Sequence, residues 1–321
     1  MQCDSKSAAI FPITVPVDNS LKSFNFYLVQ SAETLTLIDA GMNNDSCWNS
    51  LLHTLQEQNL SLSDIDQIFL THHHIDHVGL INRITSECSI PVYAHPYAYP
   101  RLKRDETFLQ KRIDFFEELY KTADCGEKGE QQVAYLKKAM YKNQHQAIRT
   151  EIMPFPSFGH DFTIIDVPGH SEDQVGFFHE PSGVLFAGDL LINHISSNAI
   201  IEPGVETTYS YPLLQHMESM KKVMQLKPDV IYSGHGTVIH DAESLIRQRL
   251  DAIDHKAEKF LQLISDGYTT ANTLAKTYYN KAYDSQFSLV MSEIIGHLQY
   301  LENNKRIQKE MTDGVWHYHL T

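Results

Sequence analysis

The stretch LTHHHIDHVGL, Leu70 to Leu80, places four histidines and one aspartate within six positions. Its ordered spacing, His72-x-His74-x-Asp76-His77, constrains the fold more than any other part of the chain. Neutral imidazole nitrogens and carboxylate oxygens are ligands for borderline divalent metals. On an extended segment, residues two apart point the same way, so His72 and His74 share a side. Asp76 and His77 follow where the chain turns into the helical run HVGLINRI. The run QIFL ahead of the cluster reads as the end of a strand. The cluster thus sits past a strand's carboxyl end, the edge where ligands gather in open α/β sheets. A lone histidine there would be an exposed loop residue; the ordered set reads as a place that holds something.

The surroundings supply such a sheet. IFPITVPV, SFNFYLVQ and TLTLIDAG are β-branched and aromatic runs with short polar breaks. DSCWNSLLHTLQEQNL has a helical period, with Trp48, Leu51, Leu52 and Leu55 on one face and Asp45 or Ser46 as the cap. Strands at Ile68–Leu70 and in PVYAH continue a strand–helix alternation, the α/β signature. Residues of about 97–150 change character: charged, tyrosine-rich and helical, with a break near Cys125-Gly126. Strands resume with DFTIIDVPGH, QVGFFHE and VLFAGDLL, then a helix near Tyr211–Leu226 and the strand DVIYSGH. A long helix starts near Ser244 and leads to two more helices and a hairpin with Asp313-Gly314 at its tip. Helices followed by such a hairpin read as a small winged-helix module.

Composition narrows the class. Of 321 residues, 42% are hydrophobic, enough for a sizeable core. The formal net charge of -14 disfavours non-specific nucleic-acid binding, which needs Lys and Arg to displace counterions. No stretch approaches about 18 apolar residues, so no membrane span is expected. The start, MQCDSKSAAIFPITVPV, lacks a secretory pattern. Cys3, Cys47, Cys88 and Cys125 are scattered, which fits free thiols in a reducing, cytoplasmic setting.

THHHIDHVG resembles the His-x-His-x-Asp-His motif of the metallo-β-lactamase superfamily. Four further signposts follow the same order: LIDAG with Asp39, VPGHS with His170, FAGDLL with Asp189 and YSGHG with His235. Singly, each has an ordinary reading as a turn or cap residue; as an ordered set spanning residues 10 to 240 they do not. The resemblance implies an α/β fold, the αββα sandwich, with two divalent metal ions. His72, His74 and His170 would hold one ion, and Asp76, His77 and His235 the other. Asp189 would bridge them, and Asp39 would fix a ligand histidine. Zinc is the expected metal; iron and manganese also suit the donor set. The implied chemistry is hydrolysis by a metal-bridging hydroxide, with Asp76 orienting it and relaying its proton. No serine elbow of the Gly-x-Ser-x-Gly kind is present.

The expected division is a metallo-β-lactamase-like catalytic domain over 1–245, with a helical lid at about 97–150, and a winged-helix-like domain over 246–321. The tail HLQYLENNKRIQKEMTDGVWHYHL resembles the module carried by a glyoxalase II-related group that includes thioesterases and single-strand endoribonucleases. The expected substrate is a small-molecule thioester or other carboxylic ester. The alternatives are a ribonuclease or phosphodiesterase of the same fold, a di-iron redox protein, and a non-enzymatic winged-helix protein that binds nucleic acid. A homodimer is a further expectation. In the lid, Arg101, Lys103, Arg104, Lys111 and Arg112 are either an attractor for an anionic substrate arm or a solvated face balanced by Asp105, Glu106, Glu117 and Glu118. His73 should point away from the ligands, and His194 and His240 lie near motif residues. Two departures adjoin the motifs: Ser171-Glu172-Asp173-Gln174 replaces the usual Thr-Pro-Gly-Ser, and Leu80 replaces a glycine.

Overall fold

The computed structural model describes residues 8–31, 34–157, 161–207 and 210–321. Cys3 and the start of the N-terminal stretch read above lie outside the described residues. Two sheets face each other. The first has six strands in chain order: β1 (Ala9–Pro16), β2 (Ser23–Gln30), β3 (Leu35–Ile38), β4 (Gln67–Phe69), β5 (Val92–Tyr93) and β6 (Ile152–Met153). β1, β2 and β3 pair antiparallel, and β3 through β6 pair parallel. The second sheet holds β7 (Thr163–Asp166), β8 (Val175–His179), β9 (Val184–Gly188) and β10 (Val230–Ser233) in the order β10-β9-β8-β7.

Alternation along the strands builds the layers. In β2, Phe24, Phe26 and Leu28 face one core while Tyr27 and Val29 face another. Around β4, Ile68 and Leu70 take the first side and Phe69 the second. The second sheet answers with Phe177 and Phe186 against the first sheet and Phe178 and Leu185 against helices. The inter-sheet core is therefore aromatic, with Phe69 and Phe177 centroids 5.4 Å apart.

Helices cover both outer faces. Against the first sheet lie α1 (Asp45–Glu57), α2 (Ile75–Val78) and α3 (Ile81–Glu87). Asn44, not Asp45 or Ser46, caps α1: it is extended, and its Oδ1 accepts from the Cys47 amide at 2.8 Å. Leu52 is 38% exposed rather than part of the buried stripe. It sits at the stripe's edge, and Cys47, Trp48, Leu51 and Leu55 fill the sheet side.

The segment between β5 and β6 contains α4 (Tyr99–Leu102), α5 (Glu106–Thr122) and α6 (Gly126–Lys142). Against the second sheet pack α7 (Pro212–Leu226) and the first half of α8 (Ala242–Ser265). The chain ends in α9 (Ala271–Tyr279), α10 (Lys281–Ser285), α11 (Phe287–Asn303) and the antiparallel hairpin of β11 (Ile307–Thr312) and β12 (Val315–Leu320). One apolar core joins these last elements to the insertion: Phe116 and Tyr120 of α5 and Leu136 and Met140 of α6 pack with Phe260, Leu274, Ile294 and Tyr318. The expected boundary at 245/246 falls inside α8, whose Leu245 and Ile246 belong to one core and Phe260 and Leu261 to the next. No described helix is long and apolar enough to cross a membrane.

Candidate metal centre

β3 and β4 run parallel, so Asp39 and the His72–His77 stretch leave the same edge of the first sheet. β7 and β9 are each antiparallel to β8, and β9 is parallel to β10, so these three strands also share a direction. Their following loops carry His170, Asp189 and His235. Five loops from two facing sheets therefore deliver the candidate residues to one place.

Three overlapping groups result: His72, His74 and His170; His72, His77 and Asp189; and Asp76, His77 and His235. Within each, one ligand-type atom per residue lies within 4.8 Å of the others. His74 Nδ1 is 3.0 Å from His72 Nε2 and 2.9 Å from His170 Nε2. His235 Nε2 is 3.1 Å from Asp189 Oδ2 and 3.5 Å from Asp76 Oδ2.

The opposite ring nitrogens fix which face looks inward. His170 Nδ1 donates to the Asn198 carbonyl at 2.9 Å, and His235 Nδ1 to the Ser23 carbonyl at 2.7 Å. His77 Nδ1 donates to Asp39 Oδ2 at 2.8 Å. The Thr71 hydroxyl donates to Asp39 at 2.8 Å and so accepts from His72 Nδ1 at 3.0 Å. In the neutral form of each ring the proton sits on Nδ1, which leaves an Nε2 lone pair aimed at the centre. Asp39 holds this frame from a left-handed backbone, φ 59°. Its Oδ1 also takes the Thr71 amide at 2.8 Å.

Burial sharpens the electrostatics. His72 and His74 are pushed well below the ordinary imidazole pKa, first by burial and then by neighbouring histidines. Burial also lowers His170. For Asp189, burial acts against the charge, but His77 and His235 outweigh it and hold the carboxyl well below its usual range. For His77, burial is likewise outweighed, by Asp189 and Asp39, and the imidazole lies well above its usual value. Buried His77 Nε2 and Asp189 Oδ1 have no hydrogen-bond partner. Converging lone pairs with orphaned buried polar atoms are what a cation would satisfy, so the residues fit divalent metal.

Gly234 is required beside them. A Cβ at that position would collide with Asp189 Oδ1 and His77 Cε1, so the backbone forms part of the cavity wall.

Several neighbours were not anticipated from sequence. His73 does point away from the cluster, and it ends on the buried Asp173 at 2.7 Å. Arg101 is 5% exposed in its side chain and pairs with Glu172 at 3.2 Å and Glu202 at 3.6 Å; Arg112 pairs with Glu202 at 2.6 Å. Lys103 donates to the Ile148 and Thr150 carbonyls, and Lys111 to those of Gly204, Val205 and Thr207. The insertion's cations are thus neither a free anion attractor nor a face balanced by Asp105, Glu106, Glu117 and Glu118. Arg101, Lys111 and Arg112 fasten the insertion to the loops after β7 and β9, Lys103 and Arg104 bond within the insertion, and Asp105 caps α5 instead. Nothing in the local charge pattern hinted at partners so distant. His194 Nε2 donates to the Ser20 carbonyl, and His240 is exposed; neither reaches the centre.

Comparison with known proteins agrees with this geometry. The chain is 30% identical over 303 residues to a probable metallo-hydrolase, YqjP, of Bacillus subtilis, covering 93% of each. It is 21% identical over 246 residues to an atrochrysone carboxyl ACP thioesterase of Aspergillus fumigatus, covering 77% of this chain and 61% of that one. The fold matches the crystal structure of a metallo-beta-lactamase family protein, TTHA1429, from Thermus thermophilus. The TM-score is 0.78 at 23% identity, over 97% of this chain and 98% of that one. Residues 23–235 match the family described as the Metallo-beta-lactamase superfamily, and with its ligand-type histidines and aspartates converging as they do, the chain belongs to that superfamily as a metallo-hydrolase.

Proposed function

We propose that this metallo-hydrolase is dinuclear and cleaves a carboxylic thioester or ester. His72, His74 and His170 would hold one ion, Asp76, His77 and His235 a second, and Asp189 both. The observation that carries this is overlap: His72 and His77 each belong to two of the three groups, and Asp189 reaches His77, His170 and His235. Zinc, with iron or manganese as rivals, suits the nitrogen and oxygen donors. Such ions supply Lewis acidity and a water that ionises near neutral pH.

The chain does the rest. Asp39, Thr71 and the Asn198 and Ser23 carbonyls hold four imidazoles in one tautomer and orientation. Asp76 is partly exposed, with 17% of its side chain reaching solvent. It accepts the proton of the attacking water and returns it to the leaving thiolate or alkoxide. Arg101 and Arg112 are already paired with carboxylates, so they do not form a track for a phosphate backbone, and ribonuclease or phosphodiesterase chemistry ranks second. The similarity to an ACP thioesterase points the same way. The C-terminal helices and hairpin act, in this reading, as a winged-helix-like packing module rather than a nucleic-acid reader. Free Cys47, Cys88 and Cys125 suit a reducing compartment.

Elemental analysis of purified protein, followed by hydrolysis of acyl-CoA, a glutathione thioester, a lactone, bis(p-nitrophenyl) phosphate and RNA, tests the reading. Two equivalents of metal with turnover of a thioester or ester are expected. One equivalent, or turnover of the phosphodiesters alone, refutes it.

A further inference from the structure

A cavity of about 430 Å³ opens between the insertion and the metal loop, reaching from His73 and His74 to the exposed Tyr135 and Leu289. A smaller cavity of about 20 Å³ shares His74, Arg101, Ile200 and Glu202 with it and continues to His170. The larger cavity therefore borders the candidate centre at His74. On α6, Gln132, Leu136, Ala139 and Met140 form a helical stripe facing the space; Phe108 and Ile113 of α5 face it from across. Of its three cations, only Arg101 and Arg112 are paired with carboxylates among the described residues. Arg101 lies 4.5 Å over the Phe108 ring and pairs with Glu172 and Glu202, Arg112 pairs with Glu202, and Arg104 donates to the Ala139 carbonyl. The volume is that of a small-ligand site, and the wall between the charged throat and the mouth is mostly apolar.

We propose, resting on the thioester reading above, that this cavity is an acyl-chain site. It takes an unbranched apolar acyl chain, with the reacting carbonyl beside His74 and His170 and the chain running under α5 and α6 towards Tyr135. In the reaction, water oxygen bonds to the acyl carbon and the carbon–sulfur bond breaks. Its electron pair leaves on sulfur, and the water's proton ends on that thiolate. No redox partner is needed.

The test uses thioesters of N-acetylcysteamine, a thiol too short to fill the cavity, from acetyl to decanoyl. Each methylene that leaves water should raise kcat/KM about fourfold until the cavity is full. Ala139→Phe places a ring in the space and should lower the decanoyl-to-acetyl ratio of kcat/KM at least about tenfold. A dansyl-labelled fatty acid gives a readout without turnover: the wild type should bind it, and Ala139→Phe should weaken binding by a similar factor. If that variant does not fold, Ala139→Leu carries the same comparison. A flat chain-length profile with intact thioester hydrolysis, rates that follow the thiol arm instead, or an unchanged ratio and dye affinity in the variant overturns the acyl site while sparing the thioester reading. Turnover of phosphodiesters with none of thioesters overturns the reading beneath it.

Discussion

Asp39→Asn isolates one carboxylate that touches no candidate ion yet decides how His77 is presented. Asp39 accepts three hydrogen bonds, each at 2.8 Å, from the Thr71 amide, the Thr71 hydroxyl and His77 Nδ1. Asparagine keeps the volume but has one acceptor oxygen and one donor nitrogen. With its oxygen on the Thr71 amide, its NH2 faces His77 Nδ1, and the imidazole must move its proton to Nε2. That nitrogen then points a hydrogen at Asp189 Oδ1, 3.4 Å away, instead of a lone pair at a metal. Restoring the ligating tautomer means giving up a charge-assisted hydrogen bond, worth about 1.5–3 kcal/mol. Metal affinity should therefore fall by about 10- to 150-fold, in line with the roughly 10- to 100-fold seen when partners of metal ligands are changed. Competition with a chromophoric chelator measures the affinity, and urea unfolding of metal-free protein checks that the fold survives. A folded Asp39→Asn variant that binds metal within about threefold of wild type would refute the tautomer argument.

Other substitutions probe different links. His72→Ala and Asp189→Ala should each abolish turnover and lower metal content by elemental analysis, because His72 belongs to two of the groups and Asp189 contacts members of all three; near-normal activity in either sinks the assignment. Gly234→Ala should cost metal binding more than stability, since its methyl displaces Asp189 and His77 rather than core residues. Metal content alongside melting temperature reads this, and retained metal with lost stability would contradict it. Glu202→Gln should loosen the insertion. Burial works against the Glu202 charge, but Arg112 and Arg101 outweigh it and bring its pKa from 4.5 to about 2. A carboxylate depressed on folding contributes stability above its unfolded pKa and loses it as pH falls towards the folded one. The contribution is at most about 3 kcal/mol. Wild type should thus exceed Glu202→Gln in urea stability at neutral pH, with the gap closing between about pH 4.5 and 2. A gap that does not narrow on acidification would count against the ion pair.

The candidate ligands were legible because each comes soon after a strand ends, in the following loop or, for Asp76 and His77, in α2, and often beside glycine. Their spacing is local information, and parallel strand direction carries it to one edge. What orients those ligands was only partly legible. Asp39 had a motif; the Asn198 and Ser23 carbonyls that hold His170 and His235 had none, since any residue offers a backbone oxygen. The α1 cap was misplaced by one or two positions, because Asn44, Asp45 and Ser46 all suit the role and only the extended backbone at Asn44 chooses.

The insertion shows the other limit of sequence patterning. Helical charge is judged against neighbours three and four positions away, but Arg101 pairs 71 positions on and Arg112 pairs 90 positions on. Those carboxylates, Glu172 and Glu202, lie in the loops that also carry His170 and follow Asp189. The departure from the usual sequence after His170 thereby acquires a physical reason: Glu172 and Asp173 hold Arg101 and His73, and so fix the insertion to the metal loops. On its far side the same insertion shares a core with α8, α9, α11 and the terminal hairpin. A mobile lid would open by exposing little apolar surface; this one could leave only by uncovering Phe116, Tyr120 and their C-terminal partners. Under the acyl-site proposal, substrate choice would rest on a wall that can vary at positions such as Ala139 and Leu136 without disturbing the loops that gather the histidines. The C-terminal elements back that wall and, through Ser288 and Leu289 of α11, line the proposed site themselves, which would give them a part in specificity.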